Sequence, residues 1–330
     1  MEYTYLGRTE LYVSRIALGL WQAGGDWGAV DEAGETAAVR RALDLGINFF
    51  DTAQSYGFGA SERLLGAALR DKIHSERDKF VIATKGGLRQ SGDGLVRDAT
   101  PAWLRKGIEE SLRALGTDHV DLYQVHWPDR NTPFAETADA LSAFVREGKA
   151  RYAGVSNFSA ADLAEMGRYR RIDSLQPAFS LFRREFERDV LPYCREDGMG
   201  VLVYGPLAHG LLSGRMTANP KFSAGDWRST SPIFRGDTLR TNLAVIDRLR
   251  GLAERRGHSL VHLAIAWTLS VPGVHVAIVG SHNPEQISGS VGAVELELTA
   301  GDLAEVETTM KDAVALGGPS PEAMPAESAA

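Results

Sequence analysis

The sequence predicts an α/β protein whose β-α units close into a (β/α)8 TIM barrel, with an N-terminal hairpin and long loops at the mouth of the barrel. Short apolar runs alternate with longer amphipathic segments, and this alternation occurs eight times along the chain. Such alternation is typical of a mostly parallel sheet covered by helices. Eight units in about 270 residues favour a closed barrel over a doubly wound sheet, which usually has five or six strands.

Two periodicities define the elements of this barrel. Short apolar runs predict strands at Ile16–Leu20, Ile47–Phe50, Phe80–Thr84, Val120–Val125, Tyr152–Val155, Ser174–Gln176, Val201–Tyr204 and Val276–Val279. Apolar residues spaced three and four apart predict helices at Thr36–Leu45, Ala60–Leu69, Pro101–Leu115, Ala135–Arg146, Ala160–Tyr169, Arg188–Asp197 and Leu239–Arg256. Several helices precede a glycine, as at Gly116 and Gly198, where a left-handed C-cap usually falls.

Segments outside these units predict a plug and two functional loops. Tyr3–Leu6 and Leu11–Val13 flank a polar turn and predict a small hairpin that closes the floor of the barrel. Gly86–Thr100, and Leu207–Thr238 after the seventh strand, interrupt the rhythm of the β-α units. Loops of that length are usually lids or binding loops. We therefore expect both to border the functional site.

Composition limits the domain organisation and the partners. We expect residues 1–315 to form one domain and residues 316–330, rich in Ala, Pro, Gly and Ser, to form a disordered tail. A net charge of −7 argues against a nucleic-acid partner. No stretch approaches the ~18 apolar residues needed to span a bilayer, and no signal segment is evident, so we expect a cytoplasmic protein without a membrane partner. The single cysteine, Cys194, fits a reducing compartment.

Polar residues follow three successive predicted strands. Asp51 ends the second strand with Tyr56 shortly after it, Lys85 ends the third, and His126 ends the fourth. Catalytic groups of parallel barrels lie at the C-terminal ends of the strands, so these four should converge at one mouth. Each residue alone also fits an ordinary role, as a helix cap, a solvated lysine or a packed turn histidine.

Together, these four side chains have the chemistry to protonate an alkoxide. A carbonyl that receives a hydride develops negative charge on its oxygen, but a tyrosine with a free pKa of ~10 is a weak acid at neutral pH. A neighbouring ammonium favours the phenolate, and we predict Lys85 for that role, with Asp51 keeping Lys85 charged. His126 can donate a hydrogen bond to the carbonyl oxygen. The prediction is that Tyr56 acts as general acid.

Motifs at four successive strand ends occur in a recognisable order. They are Gly46-Ile47-Asn48-Phe49-Phe50-Asp51-Thr52-Ala53 followed by Tyr56 and Ser61-Glu62, then Ala83-Thr84-Lys85, Asp121-Leu122-Tyr123-Gln124-Val125-His126-Trp127-Pro128, and Gly154-Val155-Ser156-Asn157-Phe158. These motifs resemble the aldo-keto reductases, most closely the bacterial stress-protein and inositol-operon type. The similarity runs from about Tyr5 to Val294. It implies the same barrel and an NADPH-dependent reduction of an aldehyde or ketone.

The resemblance also implies a role for each site residue. Tyr56 would be the general acid, Lys85 and Asp51 would tune it, and His126 would orient the carbonyl. The implied cofactor contacts are Trp21, Ser156, Asn157 and Gln176 with Tyr204 at the nicotinamide, Gly205, Pro206, Leu207, Gly210 and Arg215 over the pyrophosphate, and Gly280, Ser281, His282 and Gln286 at the adenosine end, where a helix N-terminus suits an anion. Mouth-side Trp21, Trp27, Trp127 and Trp227 would bind a small carbonyl or sugar substrate.

Two positions depart from the family pattern and leave alternatives open. His282 stands where the family usually has an arginine that clamps the 2′-phosphate of NADP, and Ser290 stands where a later Asn contacts the adenine. Histidine is only partly charged at pH 7, which weakens selectivity for the 2′-phosphate. The resemblance still implies NADPH, with NADH or dual use as the alternative. The other open functions are an NAD(P)-dependent sugar or polyol dehydrogenase that works oxidatively, and a cofactor-sensing regulatory subunit.

Other sites lack support in the sequence. His258 and His262 lie four apart on a predicted helix, but no acidic residue lies between them, so we expect no metal site there. The chain has no glycine-rich dinucleotide fingerprint after its first strand and no P-loop. Gly154-Val155-Ser156-Asn157 is not a G-x-S-x-G nucleophile elbow, so serine hydrolysis is not expected either.

Overall fold

The computed structural model describes residues 1–92 and 94–316. In chain order the strands are β1 (Tyr3–Tyr5), β2 (Tyr12–Ser14), β3 (Ile16–Gly19), β4 (Phe49–Asp51), β5 (Val81–Gly86), β6 (Leu88–Ser91), β7 (Gly94–Arg97), β8 (Val120–Val125), β9 (Ala150–Ser156), β10 (Ser174–Gln176), β11 (Gly200–Tyr204) and β12 (Val276–Gly280). The α-helices are α1 (Glu32–Asp44), α2 (Ala60–Glu76), α3 (Pro101–Leu115), α4 (Phe134–Arg146), α5 (Ala160–Met166), α6 (Val190–Asp197), α7 (Gly236–Arg255), α8 (Leu260–Ser270), α9 (Pro284–Val291) and α10 (Ala300–Met310).

Eight parallel strands form a closed barrel, which confirms the predicted (β/α)8 fold. Their order around the barrel is β3-β4-β5-β8-β9-β10-β11-β12. The barrel closes where β12 pairs with β3, with Ala277 opposite Ile16 and Gly280 opposite Gly19. At least one α-helix follows each barrel strand. The carboxyl ends of all eight strands therefore lie at one mouth.

The hairpin β1-β2 closes the opposite end of the barrel, as predicted. Its strands are antiparallel, with Thr4 opposite Val13. Leu6, Leu11 and Val13 are buried in one cluster with apolar residues of the barrel strands, namely Ala17, Phe49, Val81, Ala83, Leu122, Leu202, Val276 and Ile278. The floor is therefore filled with apolar side chains, and the polar side chains are concentrated at the mouth.

The structure differs from the sequence prediction mainly in the loops and at element ends. Strand and helix ends differ by a few residues, as when α1 begins four residues before the predicted Thr36 because Asp31 caps it by accepting from Gly34 N at 3.0 Å. The predicted loop Gly86–Thr100 contains the antiparallel pair β6-β7. Its strands were missed because each is only four residues long and neither is a continuous apolar run.

The C-terminal boundary also differs by one residue. Leu316, which we placed at the start of the tail, is buried, and its N–H donates to the carbonyl oxygen of Phe182 at 2.8 Å. Leu316 therefore belongs to the folded part of the chain, and residues 317–330 lie outside the described residues. In the described part of the chain, no helix combines the length and apolar character needed to cross a membrane.

Candidate active site

A buried ion pair joins the carboxyl ends of β4 and β5. Lys85 Nζ lies 2.5 Å from Asp51 Oδ1, and the two side chains are 1% and 4% exposed. The second Asp51 oxygen accepts from Gln176 Nε2 at 2.8 Å, and Lys85 also donates to the carbonyl oxygen of Thr52 at 3.0 Å. Such bonds offset the cost of burying two charges. Neighbouring strands of the barrel therefore hold this pair in a fixed geometry.

Tyr56 lies directly beside the ion pair. Its phenolic oxygen is 3.3 Å from Lys85 Nζ, and the ammonium is 4.9 Å from the centre of the ring. The turn that carries Tyr56 depends on Gly57, whose φ is +60° and where a Cβ would lie 2.8 Å from the carbonyl oxygen of Gly24. A close ammonium favours the phenolate over the phenol, so this placement suits proton donation.

His126 faces Tyr56 from the end of β8. The two rings are 5.7 Å apart in an edge-to-face arrangement. Burial, with a smaller effect of the Lys85 charge, holds the pKa of His126 well below its ordinary value. The imidazole is therefore neutral at physiological pH and has one N–H to donate. Its Nδ1 lies 3.3 Å from Ser55 Oγ, which helps to fix the ring.

A second buried carboxyl group, that of Glu62, lies behind Lys85. The sequence analysis assigned no role to it. Glu62 on α2 accepts a hydrogen bond from Thr84 Oγ1 at 2.6 Å, and burial raises the pKa of Glu62. Glu62 belongs to the Ser61-Glu62 motif quoted above, so the signal was present in the sequence. Because Thr84 precedes Lys85 on β5, this bond ties α2 to the strand that carries the lysine.

A cavity of about 550 Å³ opens at the mouth beside these groups. Asp51, Tyr56 and Gln176 line it at the strand ends, and Gly280 and Gln286 line it near the start of α9. This volume is within the range of small-molecule and cofactor sites. Two of the predicted catalytic residues, Asp51 and Tyr56, thus share one cavity with predicted adenosine-end residues, whereas Lys85 and His126 contact Tyr56 without lining the cavity.

The predicted nicotinamide contacts form a hydrogen-bonded wall. Gln176 and Tyr204 line the cavity. Ser156 and Asn157 stand behind them, since Ser156 Oγ donates to the Gln176 carbonyl oxygen at 2.7 Å and Asn157 Oδ1 accepts from the Tyr204 hydroxyl at 2.9 Å. Asn157 also donates to the His126 carbonyl oxygen at 3.1 Å. The wall therefore connects the predicted nicotinamide end with the predicted catalytic groups.

The long segment after β11 covers the cavity. The five residues predicted there, Gly205, Pro206, Leu207, Gly210 and Arg215, all line it. Further lining residues that sequence reasoning missed are His209, Ser213, Met216, Thr217, Pro220, Lys221, Phe222 and Arg228. Loop length predicted that this segment is functional. It has no regular period in the sequence, however, so nothing there indicated which side chains face inward.

The far end of the cavity lies at the N-terminus of α9. Gly280, His282 and Gln286 line it, whereas Ser281 is buried and donates to the carbonyl oxygen of Asn283 at 2.7 Å. His282 Nδ1 is 3.4 Å from Oε1 of Glu35, a residue on α1 that is 1% exposed. Among the described residues neither Glu35 oxygen has a hydrogen-bond partner. A buried carboxylate missed by the sequence reasoning therefore adjoins the histidine.

The four predicted substrate tryptophans occupy different places. Trp21 and Trp27 line the cavity with ring centres 5.0 Å apart. Trp227 lies one layer back, in edge contact with Trp27 at 6.0 Å. Trp127 stacks instead on the guanidinium of Arg97 at 5.1 Å and is not among the residues that line this cavity. Of the four predicted tryptophans, Trp21 and Trp27 therefore line the cavity, and Trp127 and Trp227 do not.

The described residues contain no group of three or more His, Cys, Asp or Glu side chains that could hold a metal ion. His258 and His262 do meet, with their Nδ1 atoms 3.2 Å apart. His262 Nε2 is 3.0 Å from the carbonyl oxygen of Gly289, so it is engaged with the backbone of α9. His258 precedes α8 rather than lying on a helix with His262, and it is His262 that joins α8 to α9.

The barrel, the Tyr-Lys-Asp-His group and the long cavity at the strand ends define an oxidoreductase that acts on carbonyl or alcohol groups. The sequence profile of the Aldo/keto reductase family matches residues 15–311. The chain belongs to that family.

Named relatives and solved structures agree. The chain is 38% identical over 316 residues to "Aldo-keto reductase YhdN" of Bacillus subtilis, covering 95% of each chain. It is 33% identical over 313 residues to the "NADH-specific methylglyoxal reductase" of Escherichia coli, covering 90% of this chain and 94% of that one. The structure of the glycerol dehydrogenase AKR11B4 from Gluconobacter oxydans matches with a TM-score of 0.87 and 36% identity, covering 96% of this chain and 98% of that one.

Proposed function

We propose that the protein reduces an aldehyde or ketone to an alcohol by hydride transfer, with Tyr56 as the general acid. The observation that supports this is the 3.3 Å separation between the Tyr56 hydroxyl and Lys85 Nζ, next to the buried Asp51. Alcohol oxidation would use the same groups in reverse. Relatives named as reductases favour an enzyme over a cofactor-sensing regulatory subunit.

Each residue of the group has one task in this proposal. Tyr56 gives its proton to the carbonyl oxygen as negative charge develops there. Lys85 compensates the phenolate that Tyr56 leaves behind, and Asp51 keeps the ammonium in place. His126, which is neutral because burial lowers its pKa, donates a hydrogen bond to the same oxygen and orients the carbonyl. All four side chains are buried.

The cavity fits a nicotinamide dinucleotide, which would supply the hydride. Gln176, with Ser156 and Asn157 behind it, would hold the nicotinamide amide, and Tyr204 would contact the ring. The cations Arg215 and Lys221, and the backbone N–H groups at the start of α9, suit phosphate groups. The remaining predicted contacts are Trp21, Gly205, Pro206, Leu207 and Gly210 along the loops, and Gly280, Ser281, His282 and Gln286 at the adenosine end.

The choice between NADPH and NADH is a separate question. The family resemblance predicts NADPH, but the carboxylate of Glu35 next to His282 favours NADH as the second candidate. The Glu35 carboxyl oxygens and the oxygens of a 2′-phosphate are all hydrogen-bond acceptors, so Glu35 disfavours that phosphate close to it. The named relative that is NADH-specific is consistent with this second candidate.

Substitution of Glu35 tests the effect of its carboxyl group on cofactor choice. Glu35→Gln should lower the ratio of the NADPH Kd to the NADH Kd at least ~5-fold, equivalent to about 1 kcal/mol. Fluorescence titration of both cofactors measures this ratio. Glu32→Gln, an exposed change on the same helix, is the matched control and should leave it unchanged. A ratio that is the same in the Glu35 variant and the wild type would show that Glu35 has no influence.

Small oxygenated compounds are the proposed substrates. Relatives are named as a methylglyoxal reductase, an L-glyceraldehyde 3-phosphate reductase and a glycerol dehydrogenase. The last of these supports the alternative of an NAD(P)-dependent sugar or polyol dehydrogenase. We retain as predictions a cytoplasmic location and the absence of nucleic-acid and membrane partners. The net charge of −7 supports the absence of a nucleic-acid partner.

Replacement of Tyr56 tests the proposed acid. Tyr56→Phe should lower kcat at least ~10²-fold for carbonyl reduction, because it removes the positioned proton donor. Cofactor binding, measured by fluorescence titration, should stay within about 2-fold of wild type, since the ring is retained. Tyr169→Phe removes a hydroxyl from an exposed tyrosine and is the control. A Tyr56 variant that keeps most of its turnover would refute the assignment.

A further inference from the structure

His209 lies within an aromatic cluster at the mouth of the cavity. Its ring centre is 6.1 Å from Trp21, 6.2 Å from Trp27 and 5.2 Å from Trp227. His209, Trp21 and Trp27 line the same cavity as Tyr56. The ring centre of Trp21 is 6.4 Å from that of Tyr56 and 6.1 Å from that of His209, so Trp21 is adjacent to both rings. Tyr56 and His209 therefore share a cavity and an aromatic neighbour.

The backbone at His209 is held in an unfavourable conformation. Ala208 and His209 are consecutive non-glycine residues with φ of +48° and +54°. A non-glycine residue in the left-handed region costs roughly 1–2 kcal/mol, and such residues concentrate at ligand-binding sites. Arg228 Nη1 donates to the His209 carbonyl oxygen at 3.2 Å, and its Nη2 donates to Asp226 at 2.6 Å. This clamp holds the imidazole at the cavity wall.

The imidazole is neutral and has bonding capacity to spare. Burial, with smaller effects of Arg183 and Arg228, lowers the pKa of His209 to about 3. A neutral ring has one N–H donor and one acceptor nitrogen. Within residues 1–92 and 94–316, the side-chain hydrogen bond at His209 is the one that Arg228 donates to its carbonyl oxygen. The two ring nitrogens are therefore available to bind a ligand. A hydroxyl group satisfies both requirements because it donates and accepts.

Two neighbouring indoles also have unused donors. Nε1 of Trp27 and Nε1 of Trp227 are buried and have no hydrogen-bond partner among the described residues. A buried donor without a partner destabilises a protein, and a ligand oxygen removes that penalty. The cluster that looks apolar in the sequence thus has several polar atoms that lack partners. An alkyl substituent placed there would leave all of them unsatisfied.

We infer that His209 is a specificity-determining residue, which binds a hydroxyl of the substrate remote from the reacting carbonyl. The site then selects a short hydroxylated aldehyde or ketone over an alkyl carbonyl of the same length. This inference rests on the proposed carbonyl reduction and names the substrate class of that site.

A pair of matched substrates tests the inference. The measured quantity is kcat/KM for glyceraldehyde divided by kcat/KM for propanal, two aldehydes of equal chain length. His209→Phe keeps an aromatic ring but removes both nitrogens, and should lower this ratio at least ~5-fold through loss of a neutral hydrogen bond. His209→Asn keeps a donor and an acceptor and tolerates the left-handed backbone, so its ratio should stay nearer that of wild type. His74→Phe, on the exposed face of α2, is the control.

The possible outcomes separate the two proposals. A ratio within 2-fold of wild type in the Phe variant overturns the role of His209. Equal losses on both aldehydes in the Phe and Asn variants overturn it as well, because they indicate a structural role alone. If the wild type reduces neither aldehyde nor any other carbonyl with either cofactor, the proposed function itself fails. A fall in the ratio for Phe with retention for Asn supports the inference.

Discussion

The buried pair Asp51–Lys85 offers a direct test of the electrostatics of the site. Asp51→Asn keeps the shape of the side chain but removes the counterion 2.5 Å from an ammonium that is 1% exposed. Removal of one partner from a buried pair typically costs about 3–5 kcal/mol of unfolding free energy. This cost has an upper limit, because the lysine can instead lose its proton. From an ordinary lysine pKa of ~10.4, deprotonation at pH 7 requires about 4.6 kcal/mol, at ~1.36 kcal/mol per pH unit.

Thermal and urea unfolding measure this loss. An unfolding entropy of about 2.1 cal/mol/K per residue gives roughly 0.7 kcal/mol/K for a chain of 330 residues, so we expect Tm to fall by about 4–7 °C. The loss should shrink as the pH approaches 10, where a neutral lysine becomes easier to form. The double variant Asp51→Asn with Lys85→Met removes both charges and should be more stable than Asp51→Asn alone. Turnover should fall in both variants.

An exposed pair provides the control. Arg248 and Asp312 are 48% and 64% exposed and lie 2.7 Å apart, so Asp312→Asn should cost roughly 1 kcal/mol or less. If Asp51→Asn costs no more than this control, the pair is not acting as a desolvated ion pair. A loss that is the same at pH 7 and pH 10 would also contradict the reasoning, because a stranded ammonium must respond to pH.

Two further predictions concern stability. Gly66→Ala would place a Cβ 2.4 Å from the Leu115 carbonyl oxygen and should lower the free energy of unfolding by about 1–3 kcal/mol. Gly251→Ala, with its nearest contact at 3.7 Å, should raise it by ~0.5–1 kcal/mol, and urea unfolding measures both changes. Equal effects would contradict the packing of α2 on α3. Burial lowers the pKa of His126 below its unfolded value of ~6.5, so the unfolded state binds more protons in acid. The contribution of the neutral His126 to the free energy of unfolding is therefore complete above about pH 6.5 and falls by up to ~1.4 kcal/mol per pH unit below it. Urea unfolding from pH 8 to pH 5 should show a shallower decline in that free energy for His126→Asn than for wild type. Parallel curves for the two proteins would refute this.

The barrel and the position of its polar mouth followed from the sequence because both depend on local patterns. Each strand of a parallel barrel is a short apolar run, and the residue after it lies at the mouth whatever the rest of the chain does. Asp51, Lys85 and His126 could therefore be placed together without coordinates. Their distances, such as the 3.3 Å between the Tyr56 hydroxyl and Lys85 Nζ, depend on strand register and on the turn at Gly57.

Other parts of the site depend on contacts between distant segments. Nothing in the sequence distinguishes Glu35, which is one of several acidic residues near the start of α1. Its importance comes from its contact with His282, which lies far along the chain. His209 lies in a segment without periodicity, so its direction is decided by Arg228 and the tryptophans around it. Trp127 was predicted to line the substrate site because it follows a strand at the mouth. It contacts Arg97 instead and does not line the cavity.

Closure of the barrel has a consequence for the order of folding. The cylinder is complete only when Ile16, near the start of the chain, pairs with Ala277, close to its end. Contacts between such distant residues slow folding, because the loop entropy is lost before the pairing is gained. During synthesis one edge of β3 therefore stays unpaired until β12 has left the ribosome. Factors that shield strand edges should reduce aggregation most in that interval.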